Sequence, residues 1–314
     1  MAKPIVILDT DFSTDPGDAF TLVGALQLQK LDWIDLRAVI VSSSNIRAPG
    51  AVSAYMQAFG LSRPVGALQG LFRDPPVEGN GDWVTHVYNN FPRTLGLAST
   101  VTDARTLYVD QLSAAADNSV TIVAIGGATS LDILLSAQPA LVASKVKELV
   151  WMCGDYPSIN EEFNIGFDTA AAARVMANWP TVITYIGITE CLGIRTGNNY
   201  RLDLPVADIV RKTMEVFDAN MLSFYGNVAY DEMALLWSVF RRSAFEEIRG
   251  SNAYSVGSGS GGNVFTANPA GKDAYVMRRW TDAQYATFAN ALTAGPRNAA
   301  LATWPRAQGY VNFA

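Results

Sequence analysis

The pattern of hydrophobic and polar residues along the chain predicts strands that alternate with helices. Short runs of apolar, often β-branched residues predict buried strands at 5–8, 36–42, 120–125, 148–153 and 181–186. Apolar residues at helical spacing predict helices at 19–28, 48–59, 103–116, 129–135, 169–178, 204–223, 231–240 and 281–292. This alternation is typical of an α/β fold with a mainly parallel, Rossmann-like sheet and helices on both faces.

The first predicted strand is followed directly by a cluster of acidic residues. Asp9, Asp11, Asp15 and Asp18 all lie between the apolar run 5–8 and the first predicted helix. Open α/β folds bind ligands in loops of this kind, at the carboxyl ends of the strands. Crowded carboxylates repel one another, and calcium and magnesium prefer oxygen ligands. The cluster therefore predicts a divalent-cation site.

Helix capping is a simpler explanation for part of this cluster. Asp15 precedes Pro16, which suits an N-cap followed by proline at the first helical position. Asp18 would then lie in the first turn, where the positive end of the helix favours acids. Capping does not account for Asp9 and Asp11, because both precede the helix.

Polar residues also follow three later strands. Ser42 to Asn45 follow the second strand, glycines and Thr129 follow the strand at 120–125, and a segment with Asn160, Glu162 and Asn164 comes after the strand at 148–153. The carboxyl ends of parallel strands meet at one edge of a sheet, so these side chains should gather there. A lining of amides and carboxylates suits a polyhydroxylated ligand such as a sugar.

Two segments, 70–93 and 251–272, lack a regular pattern. The second contains the glycine- and serine-rich run 257–262, which predicts a loop or a hairpin. A phosphate-binding loop would need a following Lys-Ser/Thr pair, and this sequence has none there.

Composition and charge narrow the possible partners. With 314 residues, 49% hydrophobic and 17% charged, the chain can build a large core, and we expect a single domain over 1–314. A net charge of −6 and a pI near 4.9 argue against nucleic acid or an anionic membrane as partner. No apolar run approaches the roughly 20 residues that span a bilayer. The sequence leaves a homo-oligomer open.

The cysteine and histidine content restricts location and mechanism. Cys153 and Cys191 are too few for a disulfide framework, and no signal peptide is visible, so we expect a cytoplasmic protein with reduced cysteines. His86 is the single histidine, which excludes any mechanism that needs two.

Taken in order, these motifs resemble those of the inosine-uridine nucleoside hydrolases, which cleave the N-glycosidic bond of ribonucleosides with bound calcium. Asp9-Thr10-Asp11 and Asp18 resemble the N-terminal aspartate motif of that family in its longer-loop form. Glu162-Phe163-Asn164 resembles the sugar-binding triplet, and 152–156 resembles a Met-Gly-Gly segment. Tyr230-Asp231 falls at the last calcium-binding aspartate of the family.

The resemblance implies a role for each candidate residue. Calcium would be held by Asp11, Asp18, Asp231 and the backbone carbonyl of Ile125. Asp11 would also act as general base toward a calcium-activated water. Asp9 would orient the calcium ligands without binding the ion itself. The residues that would bind the ribose hydroxyls of the substrate are Asn45, Asn160, Glu162 and Asn164. The expected activity is hydrolysis of a ribonucleoside to ribose and free base.

The sequence departs from the family pattern at two positions. The first of the paired aspartates, which holds ribose hydroxyls in the family, is Gly17 here, and Asp15 could take its place. Tyr230 stands where many members carry a histidine that helps the base to leave. Stacking of the base on Trp83 or Trp237 could replace that help, although Trp237 lies in an apolar helix where core packing is the simpler role.

Two other functions remain open from the sequence. An Asp9-x-Asp11 pair after an apolar strand also fits a haloacid-dehalogenase-like phosphatase, with Asp9 as nucleophile and magnesium as cofactor. That class has no role for the Glu162–Asn164 triplet or for Asp231. Alternatively, Gly17 and Tyr230 could mark a sugar- or nucleoside-binding protein that has lost turnover.

Overall fold

The computed structural model of the chain describes residues 3–13, 15–70, 82–158, 160–218, 226–256 and 261–294. Its strands are β1 Ile5–Thr10, β2 Asp35–Val41, β3 Val65–Ala67, β4 Thr102–Asp103, β5 Val120–Ala124, β6 Val146–Met152, β7 Val182–Ile186, β8 Arg195–Thr196, β9 Asn227–Val228, β10 Phe245–Ser255, β11 Gly262–Ala267 and β12 Asp273–Arg278. Its helices are α1 Gly17–Lys30, α2 Ala48–Ala58, α3 Trp83–Asn90, α4 Ala104–Ser113, α5 Thr129–Ala137, α6 Pro139–Lys145, α7 Phe163–Phe167, α8 Thr169–Asn178, α9 Tyr200–Asp203, α10 Ile209–Phe217, α11 Tyr230–Phe240 and α12 Asp282–Ala294.

The main sheet has the strand order β11-β10-β12-β7-β6-β5-β1-β2-β3-β4. The strands from β7 to β4 in this order pair in parallel, and β10 pairs antiparallel with both β11 and β12. Helices cover both faces, so the predicted fold class is confirmed. β1 is central, with β2 on one side and β5 on the other. The strand order therefore reverses beside β1, and such a reversal opens a crevice at the carboxyl ends of the strands.

Alternation along β1 divides the hydrophobic core between the two faces of the sheet. Val6 and Leu8 pack in the cluster that contains residues of α1, α2 and α11, whereas Ile7 packs in the cluster of α4, α5 and α8. Because side chains of a strand point alternately to opposite faces, a strand covered on both sides must be apolar at every position. The unbroken apolar run at 5–8 meets this requirement.

The structure corrects two predictions of secondary structure. The segment 70–93, expected to be irregular, contains the helix α3. Within the expected helix at 204–223, residues 204–208 are not helical, α10 follows them, and 219–223 lie outside the described residues. Pro205 lacks the backbone donor that a helix interior needs. The glycine-rich run in 251–272, predicted to be a loop or a hairpin, connects the end of β10 to β11, and these two strands form an antiparallel hairpin. Residues 257–260 of the glycine-rich run lie outside the described residues.

Candidate active site

A cavity of about 190 Å³ opens at the carboxyl ends of β1, β5 and β6. Its lining combines acids, amides and apolar side chains: Asp11, Asp15, Asp18, Ile125, Met152, Glu162, Phe163, Asn164, Ile188, Tyr230 and Asp231. Two larger clefts, of about 590 and 620 Å³, are lined mainly by residues of β10 and the loop after β11 and by residues around α12. The smaller cavity is the candidate site because acids from separate parts of the chain meet there.

The loop after β1 holds Asp18 in a fixed orientation. The Thr10 hydroxyl and the backbone N–H of Phe12, at 3.1 Å, both donate to Asp18 Oδ1. Phe12 adopts a positive φ of 40°, which is uncommon for a residue other than glycine. Its ring is fully buried against Trp83 and Tyr55, with centroid distances of 5.0 and 5.9 Å. Aromatic packing thus stabilises the turn that presents Asp18.

Burial, and next to it the neighbouring carboxylates, raise the pKa values of Asp11 and Asp231 in this cavity. Burial raises the pKa of Asp11 well above its usual range, and the neighbouring Asp18 raises it further. Burial also raises the pKa of Asp231, with Asp18 and Asp15 adding to the effect. Burial raises the pKa of Asp18 as well, while the Thr10 hydroxyl and the Phe12 N–H lower it. Like charges in a low-dielectric site repel strongly, so positive charge placed among these groups would stabilise them.

The donor set suits a hard divalent cation. Asp11, Asp18 and Asp231 could offer carboxylate oxygens, and Ile125, which follows β5 and lines the same cavity, could offer its backbone carbonyl. In the part of the chain that the structure describes, no group of three or more Asp, Glu, His or Cys side chains already stands at metal-ligand spacing. The oxygen chemistry of the lining fits such an ion.

Glu162 and Asn164 are held rigidly at the opposite side of the cavity. Glu162 caps α7, and its carboxylate accepts from the backbone N–H groups of Gly154, Asn164 and Ile165 at 3.0, 3.0 and 3.1 Å. Burial raises the pKa of Glu162 to about 7, while these N–H groups lower it. The Asn164 amide nitrogen donates to the carbonyl of Met152 at 2.9 Å. The amide oxygen of Asn164 is the remaining acceptor of that side chain.

Asp15 approaches Gly17 so closely that a side chain at position 17 would require the Asp15 and Asp231 side chains to move. Asp15 Oδ1 accepts from the Gly17 N–H at 2.6 Å and from the Asn227 amide at 3.1 Å. A Cβ atom built on Gly17 would lie 2.7 Å from Asp15 Oδ1 and 2.7 Å from Asp231 Oδ2. Real Cβ contacts are not that short. The structure differs from the predicted capping: Pro16 is the N-cap of α1, Gly17 is its first residue, and no side-chain hydrogen bond caps this helix. Asp15 instead holds the turn before α1 by accepting from the Gly17 N–H, and it lines the cavity beside the position of the missing acid.

Three predicted substrate-binding residues do not line this cavity. Trp83 is fully buried behind Phe12, so its ring is not available for stacking on a base, and it begins α3 instead of lying in the predicted loop. The Asn45 amide oxygen accepts from the Arg47 N–H at 3.1 Å within its own loop. Asn160 is exposed, and its amide donates to Asp155 at 2.7 Å. Local hydrogen bonds hold both amides outside the cavity.

Asp9 is buried behind the cavity and does not line it. Its carboxylate accepts from the hydroxyls of Tyr108 and Ser130 at 2.6 and 2.5 Å, and burial raises its pKa. Its backbone carbonyl accepts from the N–H of Ile125 at 2.8 Å, which links it to a predicted ligand. A fully buried carboxylate bound by two hydroxyls is not accessible as a nucleophile. This placement argues against the phosphatase alternative.

Apolar residues form part of the cavity lining that the sequence did not assign. Phe163 was recognised only as the middle of the triplet, and its side chain is 36% exposed. Ile188 was missed altogether, although it follows the end of β7 and so lies at the same edge of the sheet as the other site residues. Trp237 donates from its indole nitrogen to Glu148 at 3.1 Å and packs in the core, as its apolar helix predicted.

No histidine lines this cavity. His86 lies in α3, half-buried, with its ring near Phe91 at a centroid distance of 6.4 Å. Tyr230 lines the cavity at the start of α11, next to Asp231.

A sequence model of the inosine-uridine preferring nucleoside hydrolases matches residues 6–287. The chain belongs to this family. The match includes the acidic loop after β1, the Glu162–Asn164 triplet and Asp231, and it confirms the resemblance found in the sequence. Nucleoside hydrolases are metal-dependent enzymes that hydrolyse N-glycosidic bonds of ribonucleosides, so the predicted enzyme class and activity are confirmed as well.

Solved structures share the fold of this nucleoside hydrolase. A purine-preferring ribonucleoside hydrolase from Gardnerella vaginalis is 15% identical, with a TM-score of 0.71, and 93% of this chain and 98% of that chain are covered. An inosine-uridine preferring nucleoside hydrolase from Bacillus anthracis is 14% identical, with a TM-score of 0.64 and coverage of 93% and 100%. The type III effector XopQ, solved with adenosine diphosphate ribose, is 16% identical, with a TM-score of 0.69 and 94% of each chain covered.

No curated protein sequence matches the chain. Among the residues that the structure describes, no helix is long and apolar enough to cross a membrane.

Proposed function

We propose that the cavity at the carboxyl ends of β1, β5 and β6 binds a calcium ion and the ribose of a ribonucleoside. The observation that carries the proposal is the meeting of Asp11, Asp18 and Asp231 around one cavity, from segments far apart in the sequence. These residues and the carbonyl of Ile125 would hold the ion. Oxygen donors alone favour calcium over softer metals.

Asp11 acts as the general base in this proposal. A bound divalent cation supplies positive charge that lowers the pKa of a nearby water. The Asp11 carboxylate accepts the proton from that water as the water attacks the anomeric carbon. Asp9 contributes through its backbone, because its carbonyl fixes the N–H of Ile125 and thus the place of the Ile125 carbonyl.

Asp15, Glu162 and Asn164 bind the ribose hydroxyls in this proposal. All three line the cavity, and each is oriented by hydrogen bonds to its own surroundings. The sugar gains positive charge as the glycosidic bond breaks. Hydrogen bonds from its hydroxyls to carboxylates strengthen at that point and lower the barrier. Asn45, Asn160 and Trp83 have no part in this binding set, for the reasons given by their contacts.

The leaving base meets an apolar and aromatic wall. Phe163, Ile188 and Tyr230 line the cavity, and the Tyr230 hydroxyl can donate a hydrogen bond. Its ordinary pKa of about 10 makes it a weak proton donor. Departure of the base therefore depends on hydrogen bonding and contact with these side chains more than on full protonation of the base.

The variant His86→Ala is expected to reduce turnover of inosine or uridine by less than about tenfold, because a positioned general acid contributes about 10²–10⁴-fold. His86 does not line the cavity. A nitrophenyl riboside, which leaves as a stable anion, should be cleaved well relative to both nucleosides. Steady-state kinetics on the three substrates check this. A hundredfold loss on inosine with the nitrophenyl riboside spared would make His86 the acid.

The decisive test of the proposed function is ribose release from a panel of nucleosides with and without a chelator. We expect release that stops when the ion is removed and returns with calcium better than with magnesium. Magnesium demands near-ideal octahedral geometry, whereas calcium accepts irregular oxygen sites such as this one. Release that continues at full rate in excess chelator would contradict the proposal.

Binding without turnover is the second candidate function, favoured by Gly17 and Tyr230. The two residues replace an acid and a histidine of the usual family site. The same panel separates the two functions. Calorimetric binding of a nucleoside in calcium, with no ribose released over hours, would identify a binding protein.

We expect this enzyme to act in the cytoplasm, since both cysteines are free and buried. Its partner is the small-molecule ribonucleoside. A single domain over 1–314 and a homo-oligomer stay predictions.

A further inference from the structure

The hairpin of β10 and β11 reaches the site through the end of the glycine-rich run. The carbonyl of Gly261 accepts from the backbone N–H of Glu162 at 3.1 Å. A Cβ atom built on Gly261 would lie 2.6 Å from the carbonyl oxygen of Glu162 and 2.8 Å from the nitrogen of Gly166. Only glycine permits this approach. The hairpin end therefore lies against the backbone of the residue that caps α7.

A buried asparagine pair connects the same hairpin to the loop after β6. Asn263 is fully buried, and its amide oxygen accepts from the N–H of Asp155 at 3.0 Å. Its amide nitrogen donates to the Asn252 oxygen at 3.1 Å, and the Asn252 nitrogen donates to the Tyr156 hydroxyl at 2.8 Å. Four polar groups of these side chains are thus satisfied within the protein. Such a network fixes the geometry of the segments that it joins.

The loop that Asn263 holds also holds the Glu162 carboxylate. Gly154, directly before Asp155, donates its N–H to Glu162 Oε2 at 3.0 Å from a backbone with φ of 78°. A Cβ atom at Gly154 would lie 2.6 Å from Asn263 Oδ1, so this loop and Asn263 are in close contact. Glu162 is therefore bound at its backbone by Gly261 and at its carboxylate by a loop that Asn263 orients.

We propose that Gly261 and Asn263 are positioning residues for ribose binding. They set the place of Glu162, and through the cap of α7 they set the place of Asn164. This inference rests on the proposed function. Neither residue lines the cavity, so each acts through Glu162. The antiparallel hairpin is then a part of the substrate site and not only an extension of the parallel sheet.

The test compares two glycine variants in one hairpin, Gly261→Ala and Gly250→Ala. Gly250 pairs with Ala267 at the far end, and a Cβ there would lie 2.2 Å from the Thr266 carbonyl oxygen, a clash as severe as that at Gly261. Affinity for free D-ribose is measured by calorimetry in calcium chloride, and kcat and KM are measured on a nucleoside. Thermal unfolding records the stability loss of each variant.

We expect Gly261→Ala to weaken ribose binding and raise KM by about tenfold or more, because hydrogen bonds to a charged group are worth more than neutral ones. Gly250→Ala should keep wild-type ribose affinity even where its stability falls as far. Wild-type affinity in Gly261→Ala, or an equal loss of affinity in both variants, would overturn the proposal.

A second pair of variants tests the proposal if Gly261→Ala does not fold. Asn263→Ala removes the acceptor of the Asp155 N–H, whereas Asn252→Ala leaves that acceptor in place. We expect the ribose affinity of Asn263→Ala to fall several-fold below that of Asn252→Ala. Equal affinities would contradict the role of Asn263. If the wild-type enzyme neither binds ribose nor releases it from nucleosides, the proposed function itself fails, which is a separate result.

Discussion

Asp231→Ala is expected to abolish tight calcium binding and to lower nucleoside hydrolysis by more than about a hundredfold, since even residues that only support a metal ligand contribute 10–100-fold. Asp231 lies in the first turn of α11 and lines the cavity together with Asp11 and Asp18. Calorimetric titration with calcium chloride measures the affinity, and ribose release measures the activity. Unchanged calcium affinity would remove Asp231 from the ligand set.

Without the ion, Asp231→Ala should not lose stability relative to the wild type. In excess chelator, Asp231→Ala should be at least as stable as the wild type, because it deletes a buried carboxylate that Asp18 and Asp15 repel. Asp103→Ala is the control. Asp103 caps α4 by accepting from the N–H of Thr106, far from the cavity. This control should lose about 1 kcal/mol of stability and keep its calcium affinity.

Asp15→Asn is expected to raise KM by at least about tenfold, because a hydrogen bond to a carboxylate is stronger than one to an amide. Stability should change little, since asparagine keeps an oxygen that can accept from the Gly17 N–H. Kinetics and thermal unfolding of the one variant separate the two roles. Near-normal kinetics would show that Asp15 supports only the turn before α1.

A pair of exchanges at 15 and 17 tests whether Asp15 replaces the acid that the family has at Gly17. Gly17→Asp alone should lose activity, since the new side chain would overlap Asp15 and Asp231. Gly17→Asp combined with Asp15→Ala restores the family arrangement and removes one of the overlaps. It should recover part of the activity that each single variant loses. Losses that simply add would show that the two positions act independently.

Much of the site could be predicted because its residues follow apolar strands directly. Asp11, Asp18, Glu162 and Asn164 each stand near the carboxyl end of a buried strand, and parallel strands bring those ends together. The resemblance to the family then suggested a role for each of these residues. Ile188 also follows a strand but carries no polar group, so no chemical signal distinguished it.

The three predicted substrate-binding residues that do not line the cavity were assigned there for one common reason. Trp83, Asn45 and Asn160 have side chains that suit a nucleoside, but the sequence does not show what else those side chains contact. Trp83 packs behind Phe12, and the two asparagines bind groups in their own loops. Such competing partners are set by the path of the chain, and the residue type alone does not determine them.

By itself, the sequence determined the α/β class, the acidic edge of the sheet and the family, because the periodicity of apolar residues and a short ordered set of motifs suffice for these. Only the tertiary structure decided that Asp15 and Asp231 crowd position 17, and that the end of the β10–β11 hairpin contacts Glu162. Both findings depend on hydrogen bonds shorter than 3.2 Å between residues far apart in the sequence: Asp15 with Asn227, and Glu162 with Gly261. Distances of that kind follow from packing, and no local pattern encodes them.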